Sequence, residues 1–232
     1  MTRPLIGIAP RFLADDEGAV RDAGARKAIL DCIWQAGGQP TVLYVADPAE
    51  AAETVSRVAA MVFPGGGDSD PAYYGDSERH PKLRLVHPLQ DTSDMAMLNA
   101  AIARSLPSLA ICRGMQTLNI VRDGSLVQHL EPGEIDHQDS THEITVTQPG
   151  SQVSEMMGAG RFVGRSHHQQ VVKELGRDLV ITARSSDDLV EAIEHRTAPI
   201  VGLQWHPELA TSDGRTQSEP FEWLVQMAHK YN

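Results

Sequence analysis

Three short segments of this sequence carry groups that together could break an amide bond. Cys112, in the segment AICRG, offers a thiolate nucleophile. His206 and Glu208, in the segment QWHPE, offer a base and a carboxylate that could orient it. The glycines at 65–67, in the segment FPGGGD, could present backbone amides to a developing negative charge. A nucleophile, a base and oxyanion donors are the parts that acyl transfer requires.

The surroundings of Cys112 favour a tight turn between a strand and a helix. The apolar run 107–111 predicts a buried strand, and 114–121 has the apolar spacing of a helix. Small residues stand two before and two after the cysteine, at Ala110 and Gly114, as a nucleophile elbow requires. The amides at the start of the helix would favour the thiolate. We therefore predict that Cys112 is the nucleophile and that Arg113 begins the helix, with its side chain paired to a carboxylate.

His206 and Glu208 directly follow a second apolar strand, predicted at 200–204. A histidine at a strand end can take the proton of a nucleophile, and a carboxylate two residues later can hold its imidazole in the right tautomer. An isolated His-x-Glu more often forms an exposed pair. The cysteine elbow in the same predicted sheet favours the catalytic interpretation.

The glycine-rich segment 63–68 has three interpretations: a plain turn, a set of oxyanion donors or a phosphate-binding loop. Lys-Ser/Thr does not follow it, and its glycines lack the G-x-G-x-x-G spacing. Nucleotide binding is therefore discounted, and the first two interpretations remain open.

Alternating strands and helices must position these groups. The first half predicts a parallel sheet covered on both faces, with strands at 4–9, 40–45, 59–63 and 107–111 and helices at 22–36, 91–104 and 114–121. The second half predicts an antiparallel end to the sheet, with strands at 142–147, 179–183, 189–193 and 200–204 and a closing helix at 219–229. The pattern indicates one α/β domain over residues 1–232, with a long loop at 68–89 that is either a lid or a surface insertion.

Composition limits the function classes. Acidic residues outnumber Lys and Arg by 31 to 20, a net charge of −11, which argues against nucleic acid and anionic membranes as partners. Because the start of the chain becomes polar too soon for a signal peptide, and two cysteines cannot form a disulfide framework, we expect a cytoplasmic protein. Cys32, inside an amphipathic helix, is predicted to be an inert core thiol.

Four segments, taken together, resemble the class I glutamine amidotransferase superfamily. They are PGGGDSDP at 64–71, AICRGMQTLN at 110–119, RSHHQ at 165–169 and QWHPE at 204–208. Their details resemble the gamma-glutamyl hydrolase branch, with the gamma-glutamyl-gamma-aminobutyrate hydrolases of putrescine breakdown as the most similar group. The resemblance implies a flavodoxin-like fold with a mostly parallel central sheet, helices on both faces and an antiparallel extension.

The resemblance also implies roles for individual residues. Cys112 would attack the delta-carbonyl of a gamma-glutamyl group to form a thioester, His206 would transfer the protons, and Glu208 would orient His206. Water would then cleave the thioester. Only a small gamma-glutamyl substrate and water are implied as partners, without a cofactor, and a homodimer is compatible with the resemblance.

Binding roles follow from the same resemblance. The backbone amides of Gly66 and Arg113 would form the oxyanion hole. Gln116, Ser166 and His167 would hold the glutamyl amino and carboxylate groups.

Two other functions stay open: a glutaminase subunit that delivers ammonia to a separate synthase, and a non-enzymatic binding protein of the same fold. The chain also departs from the family pattern. Gln90 and Asp94 stand where relatives have the Arg and Glu of R-D-x-x-E, Arg165 stands in place of the Asn of V-N-S, and 119–126 departs from N-x-x-G-G-T-L. These departures leave the amine that is released undetermined.

The ten histidines suggest a metal site, but their spacing argues against one. His137 and His142 are separated by a predicted loop, and His167 and His168 are adjacent, so that their side chains would point to opposite faces. We therefore expect neither a structural nor a catalytic metal.

Overall fold

The described part of the chain is organised around a nine-stranded mixed sheet. The computed structural model describes residues 2–45, 47–131, 133 and 135–231. Strands β1 to β13 span Leu5–Ile8, Arg11–Ala14, Val20–Gly24, Gln39–Val42, Ala60–Phe63, Ser108–Ile111, Ser125–Val127, Ser140–Val146, Arg161–Ser166, Val171–Glu174, Leu179–Ser185, Val190–His195 and Ile200–Leu203. Helices α1 to α6 span Lys27–Gln35, Ala51–Val55, Pro88–Ala103, Arg113–Ile120, Gln152–Met157 and Glu219–Lys230.

The sheet has the strand order β4-β1-β5-β6-β13-β12-β11-β8-β9. The first five strands are parallel to one another. From β13 to β9 every neighbouring pair is antiparallel. The predicted α/β class, a mostly parallel sheet with an antiparallel extension, is therefore confirmed.

Side chains of β5 alternate between two apolar cores, one on each face of the sheet. Val62 lies in one core with Ile33 of α1 and Leu224 of α6. Met61 lies in the other, where α3 and α4 cover the sheet through Leu98 and other apolar residues. Burying each side chain of this size contributes roughly 1.5–3 kcal/mol, so helices on both faces hold the central strands in place. Within the described residues, no helix combines the length and apolar character needed to cross a bilayer.

The carboxyl ends of β5, β6 and β13 meet at one edge of the sheet. These three strands are neighbours, run parallel and are buried along their whole length. The chain leaves β5 into 64–67, leaves β6 into Cys112 and leaves β13 into 204–208. The three segments that could do chemistry are thus brought together at the edge where α/β sheets bind their ligands.

The predicted helix at 22–36 is wrong in its first part. Val20–Gly24 is β3, which pairs with β2 as an antiparallel hairpin, and α1 begins only at Lys27. The Asp15 carboxylate stabilises the hairpin turn by accepting a hydrogen bond from the Ala19 amide at 2.8 Å. Hydrogen bonding to β2 outweighs the weak helical spacing of these residues. The sequence pattern of the segment alone does not indicate this pairing.

The long loop 68–89 folds back on its own start. The Arg84 amide donates to Asp68 Oδ2 at 2.6 Å, and the Asp68 amide donates to the Arg84 carbonyl oxygen at 2.9 Å. A short 3₁₀ turn at Pro71–Tyr74 lies between these contacts. The loop is therefore a hydrogen-bonded lobe beside the edge of the sheet where the three segments meet.

Candidate active site

Cys112 occupies the sharp turn between β6 and α4. Its φ of 51° and ψ of −107° lie where non-glycine residues are uncommon. Its amide donates to the Leu203 carbonyl oxygen at 2.6 Å, which ties the turn to β13. A Cβ at Gly114 would lie 2.2 Å from the Phe63 carbonyl oxygen, so a larger residue does not fit between the turn and β5. This strained, closely packed turn has the geometry of a nucleophile elbow.

His206 and Glu208 form a buried pair just beyond β13. Because a carboxylate can only accept, His206 Nδ1 donates to Glu208 Oε1, at 2.8 Å. The His206 amide donates to the Arg165 carbonyl oxygen at 2.8 Å, which fixes the pair against β9. His206 Nε2 is buried and has no hydrogen-bond partner among the described residues. That nitrogen is available to a reacting group.

Gly65 lies against both His206 and Cys112. A Cβ at this position would lie 2.5 Å from His206 Cε1 and 3.4 Å from both His206 Nε2 and Cys112 Cβ. The imidazole and the cysteine therefore both lie against the Gly65 backbone. A side chain at this position would displace the imidazole.

The charges at the site favour a protonated imidazole. Burial disfavours the imidazolium, but the negative charge on Cys112 and the hydrogen bond and charge of Glu208 outweigh it and raise the pKa of His206 to about 10. At neutral pH, His206 therefore carries a proton beside the cysteine sulfur. A leaving amine needs a proton in this position.

This pKa predicts how activity depends on pH. Wild-type kcat/KM should fall as the pH rises through about 10, where His206 loses its proton. Glu208→Gln removes one of the groups that raise the pKa, so the fall should begin at lower pH and kcat should drop roughly a hundredfold. Profiles of kcat/KM against pH for both proteins test this. Glu53→Gln, an exposed carboxylate paired with Arg57, is the matched control; identical profiles for all three proteins would contradict the prediction.

A buried ion network lies behind the elbow. The Arg113 side chain is 1% exposed and donates to Asp91 Oδ1 at 2.5 Å and to an oxygen of Asp94. Arg11 donates to the same Asp94 carboxylate at 2.9 Å and to the Gly65 carbonyl oxygen at 2.5 Å. As predicted, the Arg113 side chain is paired with carboxylates. The network connects the start of α4 to the glycine-rich segment.

The departures from the family pattern have structural partners. Gln90 Oε1 accepts a hydrogen bond from the Phe12 amide at 2.9 Å, and its Nε2 donates to Asp94 Oδ1 at 3.0 Å. Arg165 donates to the exposed carboxylate of Asp139. Gln90 and Asp94 are therefore part of the network behind the elbow, and the Arg165 side chain points to the protein surface.

The two residues predicted to supply oxyanion donors, Gly66 and Arg113, lie close together. A Cβ at Gly66 would lie 3.2 Å from Arg113 Cδ. In the part of the chain that the structure describes, neither the Gly66 amide nor the Arg113 amide donates to another group. Both amides therefore lack an acceptor among the described residues, which is what an oxyanion donor requires.

Cys112 lines a cleft with a cavity volume of about 90 Å³. The glycine-rich segment forms one wall and the segment 167–170 forms the other. The cysteine sulfur lies 3.8 Å from the His167 carbonyl oxygen, so the second wall directly contacts the nucleophile.

The predicted substrate-binding residues have different positions. His167 lines the cleft, with its ring centroid 6.5 Å from that of His206, and burial and the charge of His206 lower its pKa. Gln116 also lines the cleft, but its Nε2 donates to the Gln170 carbonyl oxygen at 2.9 Å. Ser166 is fully buried outside the cleft lining, and its hydroxyl donates to the His137 carbonyl oxygen at 3.0 Å. The structure thus brings His167 and Gln116 to Cys112, while the Ser166 side chain anchors the wall.

The sequence did not indicate two further groups at the cleft. Arg84, from the long loop, brings an exposed guanidinium to the lining, and Gln138 adds an amide. Asp68 also lines the cleft, and its carboxylate accepts a hydrogen bond from Gln169 at 2.5 Å. The sequence of the glycine-rich segment does not indicate that an arginine from a distant part of the loop lies beside it in the fold.

A second group of ionisable side chains lies behind the 167–170 wall. His137, His142, His168 and Glu191 are all buried, and one potential ligand atom of each lies within 4.8 Å of those of the others. As expected, His167 and His168 face opposite ways, the first into the cleft and the second into this cluster. The expectation of no metal considered the histidines alone. In the structure, Glu191 from β12 lies among three of them and completes a set of four potential metal ligands.

Comparisons with known proteins give consistent matches. Residues 4–208 match the peptidase C26 family. The chain is 32% identical to protein NtpR of Enterococcus hirae, over 96% of this chain and 98% of NtpR. It is 31% identical to the gamma-glutamyl-gamma-aminobutyrate hydrolase PuuD of Escherichia coli, over 84% of this chain and 83% of PuuD. The glutaminase domain of Trypanosoma brucei CTPS, solved with bound acivicin, has a similar fold, with a TM-score of 0.69 and 16% identity over 99% of this chain and 95% of that domain.

Proposed function

This chain belongs to the peptidase C26 family, which has the class I glutamine amidotransferase fold, and we propose that it hydrolyses the gamma-glutamyl amide bond of a small gamma-glutamyl compound. Gamma-glutamyl-gamma-aminobutyrate and related gamma-glutamyl amines are the proposed substrates, because a relative that is 31% identical carries the name of that hydrolase. The proposal rests on a single observation. A cysteine in a strained elbow and a buried His–Glu pair lie against one glycine, at the carboxyl edge of adjacent parallel strands.

In the first half of the proposed reaction, the Cys112 thiolate attacks the delta-carbonyl carbon of the substrate. The carbonyl oxygen becomes negative and accepts hydrogen bonds from the amides of Gly66 and Arg113. His206 then gives its Nε2 proton to the amine nitrogen, so the carbon–nitrogen bond breaks and the neutral amine leaves. A gamma-glutamyl thioester remains on Cys112.

In the second half, His206 acts as a base. With its proton lost to the amine, its neutral Nε2 takes a proton from a water molecule that attacks the thioester. The carbon–sulfur bond breaks, glutamate is released, and the thiolate and imidazolium are restored. Glu208 keeps Nδ1 protonated throughout, through the 2.8 Å hydrogen bond.

Recognition of the glutamyl group requires local charges, because the net charge of −11 repels an anionic substrate at long range. The Arg84 guanidinium on the cleft lining would pair with the alpha-carboxylate. Gln116 Nε2 is already bonded to the Gln170 carbonyl oxygen, which leaves Gln116 Oε1 to accept from the glutamyl ammonium group. Arg84→Gln should therefore raise KM far more than it lowers kcat.

A panel of amides tests the proposed function. Purified protein should release glutamate from gamma-glutamyl-gamma-aminobutyrate and other gamma-glutamyl amines at roughly 1–10³ per second. The matched alpha-glutamyl amides should not react, since their scissile carbonyl differs in position from the delta-carbonyl. Absence of glutamate release from every gamma-glutamyl amine would refute the proposal.

The same panel distinguishes the proposed hydrolase from the alternative function, a glutaminase subunit. The fold does not distinguish them, because the similar fold of the CTPS glutaminase domain is compatible with both functions. A glutaminase subunit would hydrolyse glutamine weakly and leave secondary gamma-glutamyl amides intact. Its activity would rise when a synthase partner is added.

A further inference from the structure

In the described part of the chain, four buried side chains in one cluster lack hydrogen-bond partners that buried polar groups require. They are His137, His142, His168 and Glu191. The four side chains are at most 5% exposed, and Glu191 is completely buried. Buried ring nitrogens and carboxylate oxygens normally have hydrogen-bond partners, because burial without one is costly. Among the described residues, the inward-facing atoms of the cluster have none: His137 Nδ1, His142 Nε2, His168 Nε2 and both Glu191 oxygens.

The outward-facing nitrogens of two of these histidines are bonded as they are in metal sites. His137 Nε2 lies 3.0 Å from Asp187 Oδ2, and His142 Nδ1 lies 3.2 Å from the Glu143 carbonyl oxygen. Both partners accept hydrogen bonds only, so these nitrogens carry the protons and the inner nitrogens carry lone pairs. Bonds from a ligating histidine to a carboxylate or a backbone carbonyl are the usual outer support of a metal centre.

The distances suit one small ion. Glu191 Oε1 lies 3.5 Å from His142 Nε2, 3.7 Å from His137 Nδ1 and 3.8 Å from His168 Nε2. Tetrahedral coordination with bonds of about 2.0–2.1 Å places neighbouring ligand atoms about 3.3 Å apart. The distances from Glu191 to the three histidines exceed that spacing by only about 0.2–0.5 Å, and all four donor atoms lie within 4.8 Å of one another, so small rotations of the side chains would let them surround an ion.

The charges in the cluster point the same way. Among the described residues, the Glu191 carboxylate has neither a lysine nor an arginine as an ion-pair partner, and the charged or chargeable groups within 4.0 Å of it are the three histidines. A buried carboxylate is stabilised only when a cation lies beside it. A dication among these side chains would supply the missing positive charge.

We propose that His137, His142, His168 and Glu191 bind one divalent transition-metal ion, and that zinc is the ion that fits best. Three imidazoles and one carboxylate are a donor set that zinc binds in tetrahedral geometry, whereas Cu²⁺ and Ni²⁺ favour square-planar or tetragonal sites. Four protein ligands leave no position open, so the ion would have a structural role.

The proposed ion would link β12 to β8 and to the segment after β9, although β12 is not a direct neighbour of either strand. His142 is on β8, Glu191 is on β12, and His168 follows β9. Because His168 is bonded covalently to His167, the ion would fix the wall of the cleft whose carbonyl oxygen lies 3.8 Å from the Cys112 sulfur. The expected effect of metal removal is therefore a lower melting temperature and a less ordered wall.

Metal analysis of the full chain tests the proposal. Wild-type protein, incubated with zinc sulfate and desalted, should retain one zinc ion per chain by mass spectrometry, and zinc should raise its Tm by about 5–15 °C. Glu191→Gln, which keeps the size of the side chain, should lose both the bound zinc and the Tm shift. Cys112→Ala should keep both, because the proposed site does not involve the catalytic thiol.

Two further measurements make the result decisive. His129→Ala removes a histidine of the His80–His129 stacked pair outside the cluster and should retain the zinc, which excludes chelation by surface histidines. Co²⁺ bound to wild-type protein should give the intense visible absorption of a tetrahedral site without thiolate charge-transfer bands, a result that does not depend on the folding of any variant. The proposal is overturned if the wild type retains no zinc, if folded Glu191→Gln retains it, or if Cys112→Ala loses it.

Discussion

Cys112→Ala should lower kcat/KM for a gamma-glutamyl amide by at least about 10⁴-fold, because removing a nucleophile removes the covalent pathway and leaves only binding and oxyanion stabilisation. The fold should be unaffected. Alanine keeps the Cβ, and the elbow is held by backbone contacts, through the Cys112 amide to Leu203 and through Gly114 against Phe63. Glutamate release measures the loss, and circular dichroism checks the fold.

The matched control is Cys32→Ala. Burial, followed by the charges of Glu208 and Asp31, raises the pKa of Cys32 to about 11, so its thiol stays protonated and unreactive at neutral pH. This variant should retain activity. A thiol-directed glutamine analogue should add once to wild-type protein and to Cys32→Ala, and not to Cys112→Ala, by intact mass. Near-normal activity in folded Cys112→Ala would show that the cysteine is not the nucleophile.

Asp94→Asn should lower the free energy of unfolding by about 3–5 kcal/mol, the usual cost of removing one partner from a buried ion pair. Asp94 is 1% exposed and accepts from both Arg113 and Arg11. Asparagine keeps the shape but removes the charge. Among the described residues, this leaves Arg113 with Asp91 alone and Arg11 with no carboxylate partner. Urea denaturation of the wild type and the variant measures the difference.

The control for this prediction is an exposed pair of the same chemistry. Asp178, 58% exposed, pairs with Arg122 at the surface. Asp178→Asn should cost less than about 1 kcal/mol, because water solvates both groups and screens their attraction. Equal losses for the two variants would show that the network behind the elbow contributes little.

The catalytic edge could be predicted from the sequence because its signals are local. A buried strand followed by A-x-C-x-G, and another followed by H-x-E, indicate where each side chain stands relative to its own strand. Parallel strands share a carboxyl edge, so the two signals predict one site without knowledge of the full strand order.

The hairpin β2–β3 and the histidine cluster could not be predicted in this way. Val20–Gly24 owes its strand conformation to pairing with Arg11–Ala14, a contact absent from its own pattern. Glu191 on β12 lies near His142 on β8 because the sheet places β12, β11 and β8 side by side. The hydrophobic periodicity of the sequence does not reveal this strand order. Arg11 and Arg84 likewise reach the site from a hairpin and a loop. The positions of these two elements depend on tertiary packing, so the sequence did not indicate that the arginines lie at the site.

The strand order affects how much each side of the site is expected to move. β6, which delivers Cys112, lies inside the sheet between two strands that also end at the site, whereas β9, which leads to the His167 wall, is the outermost strand. Interior strands generally open at a higher free energy than outer strands, which fray more easily. Cys112 is therefore expected to stay fixed through native-state fluctuations, whereas the order of the wall after β9 depends on its own anchors, such as the hydrogen bond from the Ser166 hydroxyl to the His137 carbonyl oxygen.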